Sequence, residues 1–242
     1  MSLGALAALA AITFLAGLAN GLTGFAFALI ATGTYLQFLP PEQAVPVVIT
    51  LSLVAQGAHF LREPRLFAVS GLGRALPFLI GGIPGVPIGV WLSYGLDREL
   101  FRTLVGVFLI AYSGYLLLAR PPRFDAGRVA DFGIGFVSGV LGGLAGLSGA
   151  LISAWCALKP WDKDAQRAAY QPFIVLGQGF ALIGHIAAAG YPSEVALQSA
   201  IGVPPLLLGL VAGYALYRRL DDLLFRRVVL ILLLLAGLLL VL

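Results

Sequence analysis

A glycine-rich stretch occurs twice in this chain, each time between two apolar runs. Residues 17–28 and 139–150 align at a shift of 122 positions. The matching pairs are Gly17 with Gly139, Gly21 with Gly143, Leu22 with Leu144, Gly24 with Gly146 and Ala28 with Ala150. Glycine adopts backbone conformations that a helix does not use, so each stretch predicts a helix with a break in it. The repetition predicts that the chain arose by internal duplication.

The runs that flank the two breaks are apolar enough for a membrane. Of the 242 residues, 60% are hydrophobic and 11% are charged, and the charged residues lie in short loops or at segment edges. Windows of about 20 mainly apolar residues are typical of helices that span a bilayer. We therefore expect a lipid bilayer around the chain and no nucleic acid partner, because the net charge of +4 reflects topology.

Both halves of the chain share one plan, in which a glycine-broken helical hairpin precedes three transmembrane helices. In residues 1–120 the predicted segments are Leu3–Ala19, Phe25–Leu39, Val45–Leu61, Ala75–Trp91 and Leu100–Leu118. In residues 121–242 the series begins with Phe132–Gly143, Leu147–Leu158 and Tyr170–Ala189. The hairpin arms either re-enter the membrane or barely span it. We predict an all-α polytopic membrane protein, with two inverted repeats and about eight to ten membrane segments in one integrated domain.

Loop charge indicates the orientation of the two repeats. If each hairpin returns the chain to its starting side, only Arg98 and Arg102 lie on one side of the membrane, and the other thirteen of the 15 basic residues lie opposite. Basic loops stay in the cytoplasm, so this arrangement predicts that both termini are outside and that the repeats are inverted.

Inverted repeats with matching broken helices are how secondary transporters form a substrate site near the middle of the membrane. At each break the second helix begins with N–H groups that lack partners within the helix. Two such N-termini, if they converge, would bind one anion weakly. We expect a small anionic substrate moved by alternating access, with no enzymatic reaction and no cofactor. The candidate binding residues at the breaks are Asn20, Gly21, Thr23, Gly24, Gly143, Gly146 and Ser148.

Polar side chains on the helices after each hairpin add candidates. Gln56 matches Gln178 across the repeat, and Gln171 lies on the same helical face as Gln178. Such residues either bind substrate or join helices by hydrogen bonds. We favour substrate binding for Gln56 and Gln178, because the duplication places both beside a break.

Two histidines, His59 and His185, are candidates for proton coupling or for a conditional positive charge. Packing near the polar rim also fits His59, which lies three residues before Arg62. We expect no metal site, because two histidines without cysteine or carboxylate neighbours do not make a closed set of ligands.

Several of these motifs together resemble the TauE/SafE sulfite exporter family, also called the toluene sulfonate uptake permease family. The motifs are the duplicated glycine-rich hairpin, Leu61-Arg-Glu-Pro-Arg65, Gly81-Gly-Ile-Pro-Gly85, and a Leu-Asp-x-x-Leu-Phe-Arg sequence at 96–102 and 220–226. The resemblance implies a permease of the bacterial or archaeal inner membrane that moves sulfite, organosulfonates or related small anions, mostly by export. Asn20 and Thr23 depart from the usual glycine run, and two phenylalanines follow them.

A second interpretation is an intramembrane serine protease. Gly146-Leu-Ser148-Gly149, with His185 later in the chain, is similar to the serine and histidine pair of rhomboid proteases. Because the duplication already explains the glycines, we favour transport.

Overall fold

The computed structural model describes residues 3–62, 69–118, 125–217, 230–231, 234–235, 237–238 and 240–242, and their side chains except at 3–6, 69–71, 163–164 and 217. These residues form nine α-helices and no strand. The helices are α1 Leu3–Thr23, α2 Ala26–Tyr35, α3 Pro41–Arg62, α4 Val69–Gly95, α5 Arg98–Leu118, α6 Gly127–Ala145, α7 Ser148–Leu158, α8 Lys163–Ala189 and α9 Ser193–Tyr217. Most described residues after 229 are also helical.

Six helices in the described part of the chain, α3, α4, α5, α6, α8 and α9, are long and apolar enough to cross a membrane. The chain is therefore a multi-pass, all-α membrane protein. The second arms of the two hairpins are much shorter, with 10 residues in α2 and 11 in α7. At 1.5 Å per residue each is about 15 to 17 Å long, roughly half of a hydrocarbon core. The number of spans and the inverted relation of the repeats stay predictions.

The predicted helix boundaries need correction at α8. This helix begins at Lys163, seven residues before the predicted start at Tyr170. The reason is a cap, because the Asp162 side chain accepts a 2.7 Å hydrogen bond from the N–H of Ala165. A capped first turn allows the helix to include polar residues that the sequence assigned to a loop.

The described residues divide into two compact units. The first takes its residues from 1–51, 96–120 and 192–242. Within it α1 packs along α9, and α2 packs against α1. The contact between α1 and α9 is a backbone contact. A Cβ atom at any of four glycines would lie 2.2 to 2.6 Å from a carbonyl oxygen of the facing helix; these are Gly17, Gly21, Gly209 and Gly213.

The second unit takes its residues from 52–95 and 121–191. Within it α6 packs along α4, while α8 contacts α4, α6 and α7. Glycines again allow the close approach, since a Cβ atom on any of six would lie 2.1 to 2.8 Å from a carbonyl oxygen of the other helix. These six are Gly81, Gly85, Gly89, Gly135, Gly139 and Gly143. The glycines of α4 thus let its backbone lie directly against that of α6.

The same helix contact occurs in both units. A Cβ atom on Gly21 would meet the carbonyl oxygen of Leu210, and one on Gly143 would meet that of Val86. Gly143 lies 122 residues after Gly21, and Leu210 lies 124 residues after Val86. Each unit therefore combines the first hairpin helix of one half of the sequence with a later helix from the other half. An internal duplication would produce two such matching contacts. The division of the chain into two repeats at residue 120 stays a prediction.

Some predicted features lie outside the described residues. They are the motif residues 63–65 and 220–226 and seven of the basic residues used for topology, namely Arg65, Arg120, Arg123, Arg218, Arg219, Arg226 and Arg227.

Candidate functional site

The break between α6 and α7 is set by one glycine. Gly146 has φ 72° and ψ 11°, in the left-handed region that favours glycine. Its N–H donates to the Gly142 carbonyl at 2.9 Å, and the next N–H, of Leu147, donates to Leu141 at 3.1 Å. These bonds satisfy the last carbonyls of α6 and reverse the chain, so that α7 begins at Ser148. The predicted second break is confirmed.

The N-terminus of α7 has no side-chain cap. The residue at the cap position is Leu147, which has no side-chain acceptor. Ser148 follows and is fully buried, and its hydroxyl oxygen has no hydrogen-bond partner among the described residues. The first N–H groups of a helix lack intrahelical acceptors and carry the positive end of its dipole. The arrangement therefore offers hydrogen-bond donors inside the protein.

Gln178 of α8 is bonded to the same break. Its Nε2 atom donates a 2.7 Å hydrogen bond to the carbonyl oxygen of Gly146. The other amide atom, Oε1, is buried and has no partner in the described part of the chain. The neighbouring Gly177 brings α8 close, because a Cβ atom there would lie 3.8 Å from the Cβ of Ser148. Three predicted residues, Gly146, Ser148 and Gln178, thus lie together.

His185 is bonded to the end of the same hairpin helix. Its Nε2 atom lies 2.8 Å from the carbonyl oxygen of Gly143, and its Nδ1 atom lies 2.9 Å from the hydroxyl of Tyr94 on α4. A carbonyl oxygen only accepts, so Nε2 carries a proton, and in the neutral ring Nδ1 accepts from Tyr94. Tyr94 is not among the site residues predicted from the sequence.

The serine protease interpretation has no support in these bonds. Both ring nitrogens of His185 are bonded elsewhere, to Gly143 and Tyr94, and the Ser148 hydroxyl has no partner among the described residues. The structure therefore has no serine–histidine hydrogen bond of the kind that activates a serine nucleophile at this pair.

The first break differs in its hydrogen bonds. Gly24 has φ 84°, and α2 begins two residues later. The Thr23 hydroxyl accepts from the N–H groups of Phe25 at 3.3 Å and Ala26 at 3.1 Å, and Asn20 Oδ1 accepts from that of Phe27 at 3.3 Å. From the sequence, the N–H groups at the start of α2 are predicted to lack partners and to face an anion. The structure instead has acceptors for them on the preceding helix, because Asn20 and Thr23 lie within one or two turns of the break.

The remaining predicted residues are buried at other positions. Gly21 faces Leu210 of α9 within the first unit. Gln56 and His59 are buried on the part of α3 that belongs to the second unit. Gln171 is buried on α8, seven residues and therefore about 10 Å before Gln178.

A charged cluster of buried Lys159, buried Asp131 and exposed Asp125 closes the base of the second hairpin. Lys159, which follows α7, lies 2.7 Å from Asp125 and from Asp131, and the indole N–H of Trp155 donates to Asp131 at 2.8 Å. Lys159 is 1% exposed and Asp131 is 5% exposed. This cluster is not among the sites predicted from the sequence, because the predicted α6 begins at Phe132 and leaves Asp131 in a loop. Opposite charges at the two ends of one hairpin are the sequence feature that could have indicated it.

The cluster shifts two pKa values outside the membrane segments. Burial alone lowers the pKa of Lys159, but its bonds to Asp125 and Asp131 outweigh burial and raise it. The bond from Lys159, together with one from the N–H of Gly127, lowers the pKa of Asp125. Both shifts favour the charged forms.

One family model matches almost the whole chain. It is described as "Sulfite exporter TauE/SafE" and matches residues 9–240. No curated protein and no solved structure matches the chain. With the match covering both hairpins and all of the helices between them, the chain belongs to the TauE/SafE sulfite exporter family.

Proposed function

We propose that this protein transports sulfite, an organosulfonate or a related small sulfur-containing anion across a membrane. We further propose that the anion binds where α6 ends and α7 begins. Family membership supports the substrate class, and the description of the family is that of an exporter. The finer statement, the binding position, rests on the chemistry of the second break.

The observation that carries the binding position is the buried hydroxyl of Ser148, which has no hydrogen-bond partner among the described residues and lies at a helix N-terminus whose cap position has no side-chain acceptor. A buried polar group without a partner costs about 1 to 3 kcal/mol, so such groups usually serve a ligand or a mechanism. An oxoanion would accept from the hydroxyl and from the first N–H groups of α7. Binding by dipoles alone is weak, which suits a substrate that must be released.

The two breaks receive different roles in this proposal. The donors at the start of α2 already bond to Asn20 and Thr23. We therefore assign Asn20, Thr23 and Gly24 to holding the first hairpin in shape, and Gly146, Ser148 and Gln178 to the anion. Gln56 and Gln171 remain proposed contributors to the anion path, and Gly143 a proposed backbone contributor.

His185 is the proposed proton-coupling group. It bonds to Gly143 on the hairpin helix that leads to the break and to Tyr94 on α4. Protonation of Nδ1 would require Tyr94 to turn from donor to acceptor, so the charge of the ring would be coupled to the packing of α4 on α6. His59, also buried, is the second candidate.

The direction of transport relative to the membrane potential decides whether proton coupling is needed. Export of a monovalent anion could run on the membrane potential, which supplies about 2.3 kcal/mol per charge per 100 mV. Uptake against that potential would require a proton or another ion. We propose an inner-membrane location with both termini outside and alternating access as the mechanism, as the sequence predicts.

Flux of labelled sulfur compounds into proteoliposomes tests the proposal. The purified full chain is reconstituted, and uptake of labelled sulfite, taurine, sulfoacetate and sulfate is followed first with an imposed potential and then with an imposed pH gradient. Empty liposomes are the control. Flux of a sulfur-containing anion that needs the protein supports the function, and the driving force that is required distinguishes uniport from proton coupling. No flux of any of the four would overturn the substrate class.

A further inference from the structure

The orientation of the Gln178 amide is fixed by the chain itself. Its Nε2 atom lies 2.7 Å from the carbonyl oxygen of Gly146. A carbonyl oxygen can only accept, so the amide nitrogen must face Gly146 and the amide oxygen must face away. Turning the amide over would place two acceptors against each other. The site therefore presents Oε1 of Gln178 as an acceptor.

That acceptor is buried, and no donor reaches it from the described part of the chain. Gln178 is 1% exposed and Ser148 is 0% exposed, and neither Gln178 Oε1 nor the Ser148 hydroxyl has a partner among the described residues. Both residues lie at the same break, through the bond to Gly146 and the close approach of Gly177 to Ser148. A ligand held by α7 and Ser148 would thus also meet an acceptor that it must satisfy.

From this arrangement we infer that the site selects anions that carry a hydrogen-bond donor on the oxoanion group, such as hydrogensulfite, over anions that only accept. A fully deprotonated oxoanion has no hydrogen-bond donor, so its oxygen lone pairs would repel those of Gln178 Oε1. A hydrogen-bearing monoanion donates its own O–H to Oε1 and accepts from Ser148 and the α7 N–H groups. The inference rests on the proposed function, since it names the form of the anion bound at that site.

Several ionisable groups of the protein lie near this break or at the ends of its hairpin, and their charges must stay the same while two ligands are compared. On α8 and α4 they are His185 and Tyr94, which bond to each other, and His185 also bonds to Gly143. At the far end of the hairpin they are Lys159, Asp125 and Asp131. A comparison of two ligands at one pH holds the charge of all these groups constant.

The experiment compares two monoanions of nearly equal shape as inhibitors of sulfite uptake. Methylphosphonate, below its second pKa, carries one O–H on its head group, and methanesulfonate has the same charge and no O–H. Each is added to proteoliposomes that take up labelled sulfite at a single pH. We expect methylphosphonate to inhibit sulfite flux at a concentration at least roughly tenfold lower than methanesulfonate, because only it satisfies the buried acceptor.

Two variants test whether Gln178 is the cause. Gln178→Met removes the acceptor at similar length and should bring the two inhibitory concentrations to within about twofold of each other. Ser153→Ala removes a buried hydroxyl on α7, the helix that begins at Ser148; this hydroxyl bonds to the Ala150 carbonyl, and the variant should keep the difference. The wild-type comparison stands by itself if Gln178→Met does not fold.

The outcomes separate this inference from the proposed function. Equal inhibition of wild-type sulfite flux by the two monoanions would overturn the inference and leave sulfite transport in place. A difference that persists in Gln178→Met would also overturn it, since another group would then be the acceptor. No sulfite flux at all would instead overturn the proposed function.

Discussion

Lys159 lies 2.7 Å from Asp125, although 34 residues separate them in the chain. Asp125 precedes α6 and Lys159 follows α7, so this ion pair joins the entry and the exit of the second hairpin. The hairpin therefore returns the chain to the end from which it started, as the distribution of basic residues in the sequence predicts. Its turn, at Gly146, lies at the opposite end.

Replacing Gly146 should damage this turn. In Gly146→Ala the alanine must adopt a φ of 72°. This left-handed conformation is unfavourable for a residue other than glycine, so the free energy of unfolding should fall by about 1 to 2 kcal/mol. The control is Gly133→Ala, at an exposed position of α6 where a Cβ atom would meet nothing within 4 Å. That variant should gain about 0.5 to 1 kcal/mol. Thermal unfolding in detergent measures both, and equal midpoints would contradict the account of the turn.

Removing the charge of Lys159 should be costly, because it leaves Asp131 buried and unpaired. We expect Lys159→Met to lower the free energy of unfolding by about 3 to 5 kcal/mol. Arg128→Met, on an exposed position of α6, should change it by less than about 0.5 kcal/mol. The double variant Lys159→Met with Asp131→Asn should recover much of the loss. A double variant no more stable than Lys159→Met would show that the ion pair is not the cause.

The same cluster predicts how stability depends on pH. The pKa of Lys159 is raised above its ordinary value of 10.5, so its contribution is complete below that pH and is lost as the pH rises through the higher folded value. The pKa of Asp125 is lowered from 3.8, so its contribution is present above that pH and is lost as the pH falls through the folded value. Unfolding midpoints of the wild type and Lys159→Met should therefore converge at strongly alkaline pH. A constant difference across the alkaline range would contradict this.

The first hairpin should depend on the hydroxyl of Thr23. Thr23→Ala leaves the N–H groups of Phe25 and Ala26 without their acceptor and should cost about 0.5 to 2 kcal/mol. Thr23→Ser keeps the hydroxyl and should retain most of the stability. Chemical or thermal unfolding compares the two, and equal losses in alanine and serine would assign the effect to the lost methyl group instead.

His185→Gln tests proton coupling. Glutamine keeps a donor for the Gly143 carbonyl but does not titrate, so flux driven by the membrane potential should persist while flux driven by a pH gradient is lost. His59→Gln, made in parallel, identifies which histidine is responsible. If both variants keep the wild-type response to the pH gradient, neither histidine carries the proton.

The sequence predicts the breaks well and their hydrogen bonds poorly. Gly24 and Gly146 could be found because a left-handed turn inside an apolar run requires glycine, and both positions have positive φ. The bonds of Thr23 could be predicted, since its hydroxyl lies two and three residues before the N–H groups that it accepts from, whereas Asn20 lies seven residues before Phe27, beyond the usual capping distance. The bond from Gln178 to Gly146 could not be predicted, because it joins helices 32 residues apart whose rotation the sequence does not specify.

The sequence also does not predict that each helix pair combines one helix from each half of the chain. Glycine spacing indicates that α4 packs closely against some helix. It does not indicate that the partner is α6 of the other half, since many apolar helices offer similar surfaces. Only the three-dimensional contacts, such as Gly85 against Phe136 and Gly209 against Phe14, identify the pairs.

The most direct test of the central claim is the affinity of sulfite for the purified chain and for Ser148→Ala. A ligand that binds only the folded chain stabilises it by RT ln(1 + c/Kd) at free ligand concentration c, so the rise of the unfolding midpoint with sulfite concentration gives the dissociation constant. We predict that Ser148→Ala weakens binding by roughly tenfold or more, because a hydrogen bond to a charged ligand is lost, while Ser153→Ala binds like the wild type. Equal sulfite affinity in the wild type and Ser148→Ala would contradict the claim that the α6–α7 break is the anion site.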